Sequence, residues 1–181
     1  MKKLLILCLF LCACQKPDGI KPQLFVYSLD NLQNAKSAYL QGDSLVHAAV
    51  NDLISDCEQA IELGTFSVMN KSVVPPSGDK HDYYSFGPYW WPDTTKPDGL
   101  PYIRRDGERN PLTRSAKFDR QAMRMMVRSA VSLSLGYYYT HEERYAEHAL
   151  KVLRTWFIDP ETRMNPHLEY GQAIPGRVEG R

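Results

Sequence analysis

Apolar positions recur every three or four residues over several stretches of this chain, and nowhere do they alternate over a useful length. Val46, Ala49, Val50, Leu53, Cys57, Ala60 and Ile61 predict a helix over Ser44–Leu63, with Asp43 capping its start and Gly64 closing it. A shorter helix over 31–41 follows from Asn31, Leu32, Ala35, Ala38 and Tyr39, and ends at Gly42. Phe118, Ala122, Met125, Met126, Ser129, Ala130, Leu133 and Gly136 mark the buried face of a long helix over Ser115–Tyr139. Tyr145, Ala149, Val152, Leu153 and Trp156 do the same for a helix over 142–157, which Asp159-Pro160 ends. Between these two helices, Thr140-His141-Glu142-Glu143 reads as a capping box at the tight turn of an αα-hairpin. The expected class is all-α, built from helical hairpins, with no strands.

The pattern breaks between Thr65 and Arg114. Seven of the twelve prolines lie there (Pro75, Pro76, Pro88, Pro92, Pro97, Pro101 and Pro111). An irregular stretch this long inside a domain is usually functional or disordered, and its aromatic richness argues against disorder. Six of the nine residues from Tyr83 to Trp91 are aromatic. Flat rings with polar edges suit sugar rings. Lys80 and His81 begin this segment, and Arg104, Arg105 and Arg109 follow it. Cations beside such rings suit a polysaccharide carrying a carboxylate on each sugar. The alternative is a proline-stiffened loop that buries its aromatics as a satellite core. A second cluster, Asn165, His167, Tyr170 and Gln172, lies in the Gly- and Pro-rich tail 163–181, and reads either as a site on a helical scaffold or as a polar surface loop.

The N-terminus adds an address. Lys2 and Lys3 precede the apolar run Leu4–Ala13, too short to span a bilayer, so 1–13 reads as a signal peptide. Leu11-Cys12-Ala13-Cys14 has the form of a lipobox, with Cys14 as the lipidated residue. Residues 14–30 form the tether, and 31–181 the domain. The expected location is periplasmic or cell-surface, lipid-anchored to a membrane. Cys57 is then the one cysteine left, and reads as a small core residue. The net charge of +1 gives no global field to recruit nucleic acid. His141 and His148 read as surface or capping groups, and Asp93, Asp98 and Asp106 as turn residues. No metal-ligand spacing appears.

Several rare strings occur in order: Pro75–Tyr83, Gly87-Pro88-Tyr89-Trp90-Trp91-Pro92, Gly99–Gly107, Trp156–Pro166 and Gln172-Ala173-Ile174-Pro175-Gly176. Together they resemble the alginate lyase domain family, from about residue 45 to the last residue. The resemblance implies an incomplete (α/α) toroid with long aromatic- and Pro-rich loops. It also implies a polysaccharide lyase acting on an anionic polysaccharide, alginate or glucuronan-like, by β-elimination without metal or organic cofactor. Substrate contacts would come from His81, Tyr83, Tyr84, Tyr89, Trp90 and Trp91, with Asn165, Tyr170 and Gln172 lining the cleft floor. The catalytic His and Tyr are expected downstream of Arg181, which makes the chain a truncated portion of the domain. A non-catalytic glycan-binding surface lipoprotein is the alternative; a helical interaction scaffold is weaker, for want of a repeat.

Overall fold

Asp43 and Gly64 do what their positions require. In the computed structural model, which describes residues 24–180, helix α2 runs Ser44–Leu63. The Asp43 carboxylate accepts the Leu45 and Val46 amides, both at 3.0 Å. The segment expected to be a signal peptide, Cys14 and most of the expected tether lie outside the described residues. Helix α1 spans Leu29–Leu40, and Ser28 accepts the Asn31 amide at its start. Lys36 ties α1 to the end of the long helix by donating to the Tyr138 carbonyl at 2.6 Å and to His141 Nε2 at 2.8 Å.

Helix α3 covers Asp119–Thr140 and α4 covers Glu143–Phe157; α2 and α4 both pack on α3. Cys57, Leu133, Tyr145, Val152 and Trp156 have no exposed surface and form the centre of the core. Burial of Leu133 and Val152 contributes about 2 kcal/mol each. Gly136 sits at the α3 crossing: a Cβ there would collide with Cys57 Sγ and lie 3.2 Å from the Tyr145 ring. Cys57 is the core residue its spacing implied, and burial pushes its thiol up to about 11. Along the outer side of α4, Leu150, Leu153 and Phe157 form an exposed apolar stripe, continued by Ile158.

The hairpin turn differs from the capping box expected there. Thr140 Oγ1 donates back to the Gly136 carbonyl at 2.8 Å and accepts the Glu142 amide at 3.1 Å, so Thr140 finishes α3. His141 takes the left-handed closing position (φ 59°), and Glu142 precedes α4 without a side-chain cap. The long helix also begins at Asp119 rather than Ser115, because Pro111–Arg114 forms a 3₁₀ turn capped by Asn110.

The class is corrected in one respect: short strands accompany the helices. Strand β1 (Tyr84–Phe86) pairs in parallel with β4 (Tyr170–Ala173), and β2 (Trp90–Trp91) pairs antiparallel with β3 (Ile103–Arg104). The α3–α4 hairpin is the crossover between β1 and β4. The aromatic segment and the Gly/Pro-rich tail are thereby brought side by side against the α3 N-terminus.

Candidate functional site

Asp82 is the centre of the best-connected polar cluster. Its side chain is 6% exposed, and it accepts two hydrogen bonds and faces a third polar group. Ser77 Oγ donates to Oδ2 at 2.7 Å, Asn165 Nδ2 donates to Oδ1 at 2.6 Å, and His167 Nε2 lies 3.0 Å from the same Oδ1. Asn165 Nδ2 also donates to Asp79 Oδ2 at 3.0 Å, and its backbone amide donates to the His81 carbonyl at 2.9 Å. The His81 amide and the Asn165 side chain hold the Asp79 carboxyl below the usual carboxylate range. The first loop and the tail are thus stitched together at residues 77–82 and 165–167.

This bonding fixes what each side chain has left to offer. Asn165 donates both amide hydrogens within the protein, which leaves Oδ1, an acceptor suited to a hydroxyl rather than a carboxylate. His167 Nδ1 accepts the Glu169 amide at 3.4 Å, so in the neutral ring Nε2 carries the hydrogen, on the side that faces Asp82. His81 has the opposite tautomer. Its Nδ1 lies 2.7 Å from the Arg163 carbonyl, which can only accept, so Nε2 keeps the lone pair of the neutral ring. Among these three residues, His81 is the one with a basic nitrogen to present to a ligand.

The aromatic run divides. Tyr84 and Phe86 turn inward, 9% and 2% exposed, and meet Phe118 edge-on at 5.4 and 4.9 Å. Tyr84 is therefore core rather than cleft lining, the satellite packing that was the alternative for this segment. Tyr83 is also buried but lines a shallow pocket of about 170 Å³ with Ser85, Met123, Leu168, Gly171 and Gln172. Burial pushes the hydroxyls of Tyr83 and Tyr84 up. Tyr89, Trp90 and Trp91 stay at the surface on the β2–β3 ribbon. Their faces are partly taken: Arg177 stands 5.5 Å over Trp90 and Arg105 stands 5.3 Å over Trp91. Arg104 is paired with Asp106 at 2.7 Å and Arg105 with Glu108 at 3.6 Å, so these loop cations offer less charge than their number implied.

Gln172 stands apart from its neighbours. Tyr84 pairs with Tyr170 and Phe86 with Ala173, so two steps on β1 face three on β4. The extra residue makes a bulge, and Gln172 holds φ 57° within it, its amide donated to Ser85 Oγ at 3.1 Å. A left-handed glutamine costs about 1 kcal/mol, and such strain clusters at functional positions. The bulge aims an exposed amide side chain beside the Tyr83 pocket. Tyr170 lies near the junction, its ring 6.5 Å from that of His167.

The structure therefore gathers His81, Tyr83, Asn165, Tyr170 and Gln172 around one joint, leaves Tyr89, Trp90 and Trp91 on a neighbouring ribbon, and buries Tyr84. Sequence reasoning assigned no role to Ser77, Asp79 and Asp82, and missed the partnership of Lys71 with Asp119. Asp82 and Asn165 are 83 residues apart, and no local signal joins them.

The alginate lyase family model matches residues 67–181. A crystal structure of an alginate lyase from Bacteroides ovatus superposes with a TM-score of 0.79 at 46% sequence identity. That match covers 85% of this chain and 40% of the other, so this chain spans less than half the length of that relative. Among curated proteins, none matches. With the family model spanning well over half of the residues, and the tail loop, ribbon and hairpin all inside it, the chain belongs to the alginate lyase family of polysaccharide lyases.

Proposed function

We propose that this chain forms one wall of the cleft of a lyase that cleaves alginate or a related polyuronate by β-elimination. The observation that carries the reading is the His81–Asp82–Asn165 junction, which fixes one imidazole lone pair beside a hydroxyl acceptor in a chain of this family. In the reaction a base removes the C5 proton of a uronate, the C4–O4 bond breaks, a C4=C5 double bond forms, and O4 leaves with a proton. The C5 proton becomes removable when the neighbouring carboxylate is neutralised. Gln172 carries an amide donor for that carboxylate on the exposed side of its bulge, and Asn165 Oδ1 accepts a ring hydroxyl. The Leu150, Leu153 and Phe157 stripe is where a further hairpin of an (α/α) toroid would pack.

The test is the chemistry of the new chain ends after incubation of the full-length chain with alginate and with glucuronan. Elimination leaves unsaturated non-reducing ends visible by NMR. Saturated ends would mean hydrolysis and overturn the reading. The non-catalytic glycan-binding alternative is favoured by the surface position of Tyr89, Trp90 and Trp91. It requires binding with no new ends, and loss of that binding in Trp90→Ala with Trp91→Ala.

Gln172→Gly separates strain from function. Glycine accepts φ 57° freely, so the variant is expected to melt higher, by about 1 kcal/mol of stability, while binding oligouronate more weakly. A variant that is no more stable and binds equally well contradicts the role given to this bulge.

The lipid-anchored, periplasmic or cell-surface location is likewise proposed, on the Leu11–Cys14 lipobox. Cys14→Ser is expected to move the protein from the membrane fraction to the soluble fraction and to stop incorporation of labelled fatty acid. Unchanged membrane association and labelling would refute it.

A further inference from the structure

The buried ion pair of Lys71 and Asp119 lies behind the junction, and its bonds reach both ends of the segment that carries His81. Lys71 Nζ is 2.9 Å from Asp119 Oδ2, with the two side chains 0% and 1% exposed. The same ammonium donates to the Lys80 carbonyl at 2.6 Å and the Val68 carbonyl at 2.7 Å. The same carboxylate oxygen accepts the Tyr84 amide at 2.7 Å. One partner thus holds the residue before His81, and the other holds the residue after Tyr83. Asp119 Oδ1 is buried with no hydrogen-bond partner.

Stability is a poor reason for this arrangement. A buried pair with an orphaned oxygen gains nothing over two apolar side chains of similar volume, which are often as stable or more so. Apolar side chains cannot, however, fix a carbonyl and an amide. We propose that Lys71 and Asp119 are positioning residues for the uronate reaction, their ion pair clamping residues 80–84 so that His81 Nε2 and the Asp82 carboxylate keep their places in the cleft. The inference rests on the polyuronate reading of the junction.

The deciding variant is Lys71→Met with Asp119→Leu in the full-length chain. It is expected to fold at a moderately lowered melting temperature, because both buried charges leave together while the Val68 and Lys80 carbonyls and the Tyr84 amide lose their partners. Turnover of polyuronate falls about a hundredfold in kcat with KM little changed, because the other contacts still hold the sugar chain while His81 no longer keeps the reacting sugar in register. The His81 imidazole nitrogens, read by ¹⁵N NMR, pass from one tautomer to a mixture. A folded variant with unchanged kcat and an unchanged His81 tautomer overturns the proposal. If the unsubstituted chain cleaves no polyuronate, the reading of the site fails, and the tautomer readout alone decides the positioning claim. If the double variant does not fold, amide exchange in the unsubstituted chain decides: Tyr84 is expected to be strongly protected, and free exchange there overturns the clamp.

Discussion

Lys71→Met alone, with Asp119 retained, is expected to destabilise the protein by about 3–5 kcal/mol, the usual cost of breaking a buried pair from one side. Three acceptors lose their donor at once: the Val68 carbonyl, the Lys80 carbonyl and Asp119 Oδ2. Burial already pushes the Asp119 carboxyl up and the Lys71 ammonium down, and each partner opposes the shift of the other. Without Lys71, Asp119 keeps the Tyr84 amide as a hydrogen-bond donor but has no neutralising charge. Denaturant titration of the two single variants and the double variant measures the coupling. The expected result is two costly single variants and a double variant that loses clearly less than the sum of the two. Additive losses would mean that the pair does not interact as the geometry shows.

Asp82→Ala is expected to cost about 2–4 kcal/mol and to weaken oligouronate binding or turnover by about a hundredfold. The substitution leaves Ser77, Asn165 and His167 without their common acceptor, and the 77–82 and 165–167 loops lose their side-chain joint. Asp82→Asn is expected to recover part of the loss. Its remaining oxygen can serve Asn165 and His167, and the Ser77 hydroxyl can reverse to accept from the new amide. Calorimetric titration with oligouronate beside thermal melting checks both effects. An Asp82→Ala protein that binds as tightly as the unsubstituted chain would place the site elsewhere.

What the sequence made legible follows the range of the interactions. Helix α2 was readable to the residue because Asp43 and Gly64 act within a few positions of its ends. Glycine at 136 and cysteine at 57 were rightly placed on buried faces, since helical spacing alone puts them there. The capping box failed because Thr140 closes α3 instead of opening α4: its hydroxyl donates to the Gly136 carbonyl and accepts the Glu142 amide, not that of Glu143. Strands of two to four residues carry too little periodicity to read, and β1 finds its partner only through the α3–α4 crossover. The aromatic run was visible as a run, but which rings face inward depends on Phe118 and Tyr102, which the local pattern does not reveal. His81 and Asn165 were named from their strings. Their tautomer and hydrogen-bond capacity depended on Arg163, Asp79 and Asp82, contacts that exist only after folding.

The most direct measurement follows the ultraviolet absorbance of unsaturated uronate while the full-length chain is incubated with alginate and, separately, with glucuronan, alongside its His81→Ala variant. The expected result is a steady rise on at least one polymer, slowed about a hundredfold in the variant by loss of a contact that positions the sugar. Flat traces on every polyuronate, or equal rates with and without the His81 imidazole, would contradict the role assigned to this junction.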